Sequence, residues 1–223
     1  MVEPVRLSGL YAITPDWADT KRLLAVTDAI LDAGCRWLQY RNKTASPELR
    51  QAQARALRTL TRRHGAHLIV NDDPELARSV DADGVHLGRE DAHVSAARDI
   101  LGNERLIGVS CYQSLALARR AVAAGADYVA FGSVYPSTTK PQATRADLAL
   151  FGEARQRLPV PVVAIGGITP DNAAAVIAAG ADALAVITAL YEAEYPGAQA
   201  ERFLALFDPT AALRGAVTTA DTQ

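Results

Sequence analysis

The residues best suited to chemistry form one short run that follows an apolar segment, Gln39-Tyr40-Arg41-Asn42-Lys43. Alternate residues of an extended chain face the same side, so we expect Gln39, Arg41 and Lys43 to point together and Tyr40 to point away. Arginine offers a fork for phosphate oxygens, lysine a compact charge, and glutamine both a donor and an acceptor. The run therefore predicts a site for a ligand with a heterocycle and a phosphate. The alternative is a surface strand end with ordinary charges.

Two carboxylates follow later apolar runs, Asp72 in Asn71-Asp72-Asp73-Pro74 and Asp91 in Gly88-Arg89-Glu90-Asp91. Pro74 suits the first position of a helix, which makes Asp73 its N-cap and leaves Asp72 free to face a ligand. Asp91 is either a metal ligand or the cap of the following helix. Carboxylates at neighbouring strand ends can share one Mg²⁺, an ion that keeps waters and binds substrate phosphates. We therefore expect Asp72 and Asp91 to hold Mg²⁺.

Groups suited to binding anions follow three further apolar runs. The first group is a loop of hydroxyls and a cation, Ser137-Thr138-Thr139-Lys140. Gly166-Gly167 leads into a helix start at Thr169-Pro170-Asp171, and Ile187-Thr188 follows the last apolar run. Free backbone N–H groups after the last two strands of a barrel often bind phosphate. The alternatives are a hydroxyl-rich turn for the loop and a tight turn for the two glycines.

Eight short apolar runs, separated by helix-like stretches, must position these groups. Helix ends that feed strands recur as AAGADYVAFGS from Ala123 and AAGADALAVIT from Ala178. The pattern predicts a single (β/α)8 TIM barrel over residues 1–207, with its active site at the carboxyl ends of the strands; an open doubly wound sheet is the alternative. Residues 208–223 are small and polar, and we expect a loosely ordered tail. The predicted strands are Leu10–Ile13, Trp37–Tyr40, Leu68–Val70, Val85–Leu87, Ile107–Val109, Tyr128–Phe131, Val162–Ile165 and Leu184–Val186.

Composition excludes several classes of protein. A formal charge of −2 over 223 residues gives no general attraction to nucleic acid or to anionic membranes. The arginines from Arg50 to Arg63 recur at helical spacing without aromatic neighbours, which favours a solvated helix face. The apolar runs are too short to span a bilayer, Cys35 and Cys111 have neither disulfide nor zinc spacing, and the first residues do not read as a signal peptide. We expect a cytoplasmic enzyme of small molecules.

In the order and spacing of these motifs the chain resembles the thiamine phosphate synthase family, from about Leu10 to Leu190: QYRNK, ND, LGRED, VS, PSTTK, AIGGI and AVIT. The resemblance implies a (β/α)8 transferase that joins 4-amino-2-methyl-5-(diphosphooxymethyl)pyrimidine to thiazole phosphate. It further implies that thiamine phosphate and pyrophosphate are the products and that Mg²⁺ is required.

The resemblance also implies a role for each matching residue. Asp72 and Asp91 would hold Mg²⁺, and Arg41, Lys43, Ser110 and Lys140 would act in catalysis. We expect Arg41, Lys43 and Lys140 to bind the charge that grows on the departing pyrophosphate. The residues implied for the pyrimidine diphosphate are Gln39, Tyr40, Arg41, Asn42, Lys43, Asn71, Ser110 and Lys140. Those implied for the thiazole phosphate are Ser137, Thr138, Thr139, Gly167, Ile187 and Thr188.

The chain departs from the family pattern at two places. Cys111-Tyr112 stands where a small residue and a histidine are common, and Ser137 stands where threonine is common. His86 is expected to be a packed or supporting side chain, because departure of pyrophosphate needs no base, and Cys111 is expected to be a buried thiol. A thiazole tautomerase is one alternative function, although it would need no diphosphate site. A non-catalytic protein that binds thiamine precursors is the other.

Overall fold

The computed structural model describes residues 6–88, 92–136 and 145–208, and within them the chain forms a closed barrel of parallel strands in the order β1 to β8. The open-sheet alternative is therefore wrong, and the predicted barrel is confirmed. The strands are β1 (Gly9–Ile13), β2 (Trp37–Tyr40), β3 (His67–Asn71), β4 (Gly84–Leu87), β5 (Leu106–Tyr112), β6 (Tyr128–Gly132), β7 (Val162–Ile165) and β8 (Ala183–Val186). β5 runs three residues beyond its predicted end at Val109 and has a register shift against β6 between Ser110 and Tyr112.

Helices surround the strands and begin at the residues that the sequence marks. Asp73 accepts a hydrogen bond from the Leu76 N–H at 2.9 Å, as predicted for an N-cap, and Thr169 and Asn172 form a capping box. The helices are α1 (Thr20–Asp32), α2 (Pro47–Arg63), α3 (Pro74–Ser79), α4 (Ala92–Leu101), α5 (Leu115–Ala123), α6 (Ala149–Arg157), α7 (Pro170–Ala178), α8 (Thr188–Tyr191) and α9 (Pro196–Ala205). In the described part of the chain, none of these helices has the length and apolar character needed to cross a membrane.

The repeated Gly-Ala-Asp segments stabilise the amino-terminal rim of the barrel. Asp127 precedes β6 and accepts a hydrogen bond from the Ile107 N–H of β5 at 2.7 Å. Asp182 precedes β8 and accepts one from the Val162 N–H of β7 at 2.8 Å. The glycine that begins each segment ends the preceding helix with a positive φ, 100° at Gly125 and 114° at Gly180. These repeats therefore link β5 to β6 and β7 to β8 by hydrogen bonds at the rim opposite the predicted site.

The arginines of α2 contribute to the same rim. Arg58 is largely covered and lies 2.7 Å from Asp83, while Arg62 pairs with Asp81. Asp83 also accepts a hydrogen bond from the Leu68 N–H of β3. These ion pairs join α2 to the segment between α3 and β4. The arginine series therefore differs in part from the solvated face that its spacing favoured, because Arg58 is largely covered.

The barrel interior is filled by side chains from alternate strand positions, and one large ring crosses it. The Tyr128 ring occupies the space beside Gly108, where a Cβ atom would lie 1.9 Å from the ring carbon Cζ. Tyr11 packs edge-to-face against the same ring, with the ring centroids 6.1 Å apart. Glycine is therefore required in the middle of β5, because any larger residue there would overlap the Tyr128 ring.

Replacing Gly108 with alanine is expected to lower the free energy of unfolding by about 2 kcal/mol or more, because the new methyl group overlaps a buried ring. Urea unfolding of the variant measures this loss. Since the clash belongs to Tyr128, the change should cost less in a Tyr128→Ala background than in the wild type. A Gly108→Ala protein as stable as the wild type would contradict this packing.

Candidate active site

The predicted site residues that the structure describes follow the carboxyl ends of strands and therefore share one rim of the barrel. Arg41 and Lys43 follow β2, Asp72 follows β3, and Ser110 lies near the end of β5. Because parallel strands end at the same edge, side chains far apart in sequence meet there. The remaining groups at this rim are Gln39, Asn71, Gly167, Ile187 and Thr188.

Arg41 is held by a carboxylate that the sequence did not indicate. Both oxygens of Asp16, in the loop after β1, lie within 3.0 Å of Arg41 Nη1, and Asp16 Oδ1 also accepts a hydrogen bond from the Lys43 N–H at 2.7 Å. Thr14 adds bonds to the main chain of Arg41, donating to its carbonyl oxygen and accepting from its N–H, both at 2.8 Å. The guanidinium is thus fixed through one nitrogen, which leaves its other N–H groups for an anion.

Lys43 and Asp72 form a direct ion pair across two strand ends. Lys43 Nζ lies 3.2 Å from Asp72 Oδ2, and Asn71 Nδ2 donates to the same oxygen at 2.8 Å. Asp72 has a left-handed backbone with φ of 60°, and its N–H donates to the His86 carbonyl at 2.8 Å. Aspartate tolerates this conformation better than most residues do. The Asp72 carboxylate thus meets Lys43 while Asp73 caps α3, which agrees with the separate roles predicted for the two residues.

The strand ends at Tyr40, but the side chains of Tyr40 and Asn42 still share one side, as the alternation along the run predicts. The Gln39 side chain faces the barrel interior, whereas Tyr40 faces α2 and donates to Gln53 Oε1 at 2.9 Å. Asn42 is also buried, and its amide donates to Gln53 at 3.0 Å and to the Trp17 carbonyl. Tyr40 and Asn42 therefore anchor the loop through their side chains and reach the rim through their main chain.

A chain of buried hydrogen bonds joins Gln39 to Ser110 through the barrel interior. Gln39 Nε2 donates to the Tyr11 hydroxyl at 2.9 Å, and the two phenol oxygens of Tyr11 and Tyr128 lie 2.9 Å apart. His86 Nδ1 lies 3.1 Å from the Tyr128 hydroxyl, and its Nε2 lies 2.8 Å from Ser110 Oγ. His86 is thus a supporting side chain, as expected. The local sequence pattern does not indicate Tyr11 or Tyr128 as members of this network, because their partners lie on other strands.

Both tyrosines of this chain remain protonated. Burial raises the pKa of Tyr11 far above its ordinary value, and its hydrogen bonds with Tyr128 and Gln39 offset only part of that rise. Burial likewise raises the pKa of Tyr128, with the neighbouring Tyr11 as a further cause. Each phenol therefore keeps its hydroxyl hydrogen at neutral pH and can donate one hydrogen bond within the network.

A second group of rim residues surrounds the turn after β7. Gly166 and Gly167 have φ of 108° and 62°, and Cβ atoms there would lie 2.1 Å from Ser133 Oγ and 2.2 Å from the Pro136 carbonyl. Asn172 fixes this turn, because its amide donates to the Gly167 carbonyl at 3.0 Å and accepts from the Thr169 N–H at 2.9 Å. The glycines are thus required by close packing against the loop after β6, and Asn172 is a contributor that the helix-capping pattern could have indicated.

The other predicted residues of this pocket lie next to that turn. Ile187 precedes α8, and its carbonyl oxygen accepts hydrogen bonds from the N–H groups of Leu190 and Tyr191. Thr188 is the first residue of the helix. N–H groups in a first turn have no acceptor within their own helix. The turns after β7 and β8 can therefore present backbone donors to an anion.

Five predicted site residues lie outside the described part of the chain: Asp91, Ser137, Thr138, Thr139 and Lys140. Their described neighbours lie at the rim. A Cβ atom on Gly88 would lie 3.7 Å from Asp72 Oδ1, and the Pro136 carbonyl contacts Gly167. The roles of the five residues stay predictions, as does the tail, whose residues 209–223 are likewise outside the description.

The rim can bind a polyanion beside a divalent cation. Arg41 and Lys43 bring two positive charges, and the Asp72 carboxylate and Asn71 amide bring hard oxygen atoms of the kind that Mg²⁺ prefers. Among the residues that the structure describes, no group of three or more metal-binding side chains occurs. A cation that takes few protein ligands and completes its shell with water and phosphate oxygens fits this donor set. The Lys43 ammonium contacts the same Asp72 carboxylate.

Tyr112 and Cys111 differ in their surroundings. Cys111 is fully buried, as expected for a structural thiol. Tyr112 has a positive φ of 55° and is 36% exposed at the end of β5. An aromatic side chain thus stands at the rim where the family commonly has a histidine.

Comparison with known proteins gives consistent matches. Residues 10–190 match the family model described as thiamine monophosphate synthase. The chain is 56% identical over 202 residues to a thiamine-phosphate synthase of Methylobacillus flagellatus, covering 91% of this chain and 96% of that protein. It is also 56% identical over 204 residues to one of Thioalkalivibrio sulfidiphilus, covering 91% and 97%. Among solved structures, a thiamine phosphate pyrophosphorylase from Pyrococcus furiosus superimposes with a TM-score of 0.80 at 36% identity, covering 89% of this chain and 94% of that chain.

Proposed function

The chain belongs to the thiamine monophosphate synthase family and so is a transferase of thiamine biosynthesis, and from this membership we propose its substrates and mechanism. It joins 4-amino-2-methyl-5-(diphosphooxymethyl)pyrimidine to thiazole phosphate and releases thiamine phosphate and pyrophosphate. The observation that carries this proposal is the meeting of Arg41, Lys43 and Asp72 at one rim, with Lys43 3.2 Å from Asp72.

In the proposed reaction the bond between the pyrimidine methylene and the diphosphate oxygen breaks first. The bonding electrons leave with the pyrophosphate, and the aminopyrimidine ring delocalises the positive charge that remains. The thiazole nitrogen then donates its lone pair to the methylene carbon. Arg41 and Lys43 bind the leaving oxygens more strongly as their charge grows, which lowers the barrier. We assign Lys140 the same role.

The proposed cofactor is Mg²⁺, held by Asp72 and Asp91. When bound, it would neutralise part of the diphosphate charge. Asn71 orients Asp72 through the 2.8 Å hydrogen bond to Oδ2. Arg41, kept in place by Asp16, would hold the diphosphate from the side of β2.

The reaction needs no protein nucleophile, and the surroundings of Ser110 agree with this. His86 Nε2 lies 2.8 Å from Ser110 Oγ, as in a hydrolase, but Nδ1 of the same ring meets the Tyr128 phenol, where a serine triad has a carboxylate. The raised pKa of Tyr128 keeps that phenol neutral, so it does not stabilise an imidazolium as a carboxylate would. We therefore propose that Gln39 and Ser110 bind the pyrimidine ring.

The second substrate is proposed to bind between the turns after β7 and β8. Backbone donors near Gly167, Ile187 and Thr188 would hold its phosphate, with hydroxyls from Ser137, Thr138 and Thr139. Its thiazole ring would then face the pyrimidine methylene.

The test is a reaction of purified protein with Mg²⁺, the pyrimidine diphosphate and the thiazole phosphate. We expect thiamine phosphate and pyrophosphate in equal amounts. A thiazole tautomerase would instead convert a thiazole isomer without the pyrimidine substrate, and a binding protein would retain both substrates unchanged. Either of those results would overturn the proposal.

Replacing Asn172 with alanine should raise the KM for thiazole phosphate about tenfold, because the Gly167 turn loses two hydrogen bonds. The KM for the pyrimidine diphosphate should change much less. Asp171→Ala is the matched control, since Asp171 lies in the same first turn but pairs with Arg202 on the surface. Equal changes in both KM values would show that Asn172 does not act on this pocket.

A further inference from the structure

The buried chain from Gln39 to Ser110 is long, continuous and confined to the barrel interior. Tyr11 and Tyr128 are each 1% exposed, Gln39 is 3% exposed and His86 is 8% exposed. Five residues on five strands are linked by four contacts of 2.8 to 3.1 Å. Because buried polar groups need partners, the position of each hydrogen atom in this chain depends on its neighbours.

The amide of Gln39 sets the order of the hydrogen atoms. Its nitrogen donates to the Tyr11 oxygen, so the Tyr11 hydrogen is directed to the Tyr128 oxygen. The Tyr128 hydrogen is then directed to His86 Nδ1. A nitrogen that accepts carries no hydrogen, so a neutral His86 carries its hydrogen on Nε2 and donates to Ser110 Oγ.

The two ends of the chain then have opposite hydrogen-bonding roles. Ser110 accepts from His86, so its own hydroxyl hydrogen is free to be donated to a ligand. Gln39 uses its nitrogen inside the barrel, so its carbonyl oxygen is left to accept. An aminopyrimidine presents the complementary pattern, a ring nitrogen that accepts beside an amino group that donates.

We propose that Tyr128, together with Tyr11, is a positioning residue that couples Gln39 to Ser110 and fixes His86 with its hydrogen on Nε2. The coupling makes the site selective for an amino over an oxo pyrimidine. An oxo pyrimidine reverses both roles, because its ring nitrogen donates and its oxygen accepts. The inference rests on the proposed function, since Gln39 and Ser110 must bind the pyrimidine for the coupling to affect selectivity.

Packing supports this role for Tyr128. Its ring is held beside Gly108, where a Cβ atom would lie 1.9 Å from the ring, and it stacks on His86 with the ring centroids 5.6 Å apart. The hydroxyl is therefore kept between Tyr11 and His86 by the contacts of the ring with Gly108 and His86. A phenylalanine would keep these contacts and remove only the hydroxyl.

The first measurement is nitrogen-15 NMR of His86 in the ligand-free protein. We expect the hydrogen on Nε2 in the wild type and a mixture of Nε2 and Nδ1 forms in Tyr128→Phe. A hydrogen on Nδ1 in the wild type would overturn the proposed order without any variant. An unchanged Nε2 form in Tyr128→Phe would overturn the coupling.

The second measurement compares the Kd of the amino and the 4-oxo pyrimidine diphosphates, with Mg²⁺ present and thiazole phosphate left out so that no thiamine phosphate forms. The wild type should prefer the amino form about a hundredfold. Tyr128→Phe should prefer it about tenfold or less, because Gln39 and Ser110 can then change their hydrogen-bonding roles independently of each other. If Tyr128→Phe does not fold, Tyr11→Phe should show the same reduced preference for the amino form. Tyr191→Phe is the control, because its buried hydroxyl bonds Thr27 outside the barrel interior and its loss should keep the wild-type ratio.

The outcomes separate this inference from the proposed function. Wild-type protein that binds neither pyrimidine refutes the proposed function, while the NMR measurement still decides the coupling. A Tyr128→Phe protein that folds and keeps the hundredfold preference overturns the positioning role.

Discussion

Replacing Arg41 with glutamine is expected to lower kcat/KM for the pyrimidine diphosphate by about two to three decades. Arg41 is only 16% exposed, so its charge acts on a ligand through little water. Asp16 holds the guanidinium through Nη1 and thereby presents its other donors in a fixed direction. Steady-state kinetics at saturating thiazole phosphate measures the loss.

The control for this change lies at the opposite end of the same strand. Arg36 precedes β2, and its Nη1 donates to the carbonyl oxygens of Leu31 and Cys35 at 3.1 Å. Arg36→Gln removes the same charge but should leave kcat/KM within about twofold while lowering stability. Similar losses of activity in both variants would show that the effect of Arg41 is not local to the site.

Replacing Asp72 with asparagine is expected to lower kcat about a hundredfold and to raise the Mg²⁺ concentration needed for half-maximal activity. Asparagine also tolerates the left-handed backbone at this position, and the N–H bond to the His86 carbonyl does not involve the side chain. The fold should therefore be retained while the carboxylate is lost. Activity measured across a Mg²⁺ titration tests this expectation.

The next residue provides a matched control. Asp73→Asn removes an equal charge one position away, and asparagine is as good an N-cap for α3 as aspartate. Its Mg²⁺ dependence should stay close to that of the wild type. Full activity of Asp72→Asn at limiting Mg²⁺ would contradict the metal assignment.

The sequence predicted the parts of the fold that depend on local chemistry. All eight strands follow from short apolar runs, and Asp73 caps α3 as its position before Pro74 indicated. Gly125 and Gly180 end their helices with positive φ because no other residue does so at such low cost. The closed barrel then places the strand ends, and with them Lys43 and Asp72, at one rim.

The features that the sequence did not predict all depend on contacts between separate elements of the fold. Asp16 precedes Arg41 by 25 residues, and nothing in the local pattern pairs them. Gln53 of α2, the shared partner of Tyr40 and Asn42, is likewise not indicated by the local pattern. The close packing at Gly108 cannot be predicted from the local pattern, since the ring of Tyr128 that it accommodates comes from the neighbouring strand.

The central claim is that one departing diphosphate meets Arg41, Lys43 and a Mg²⁺ ion on Asp72. A crystal structure of the protein with Mg²⁺, pyrophosphate and thiamine phosphate tests it most directly. We predict pyrophosphate within hydrogen-bond distance of the Arg41 and Lys43 side chains, and Mg²⁺ bound by both Asp72 and the pyrophosphate oxygens. Pyrophosphate bound away from these three residues would contradict the account.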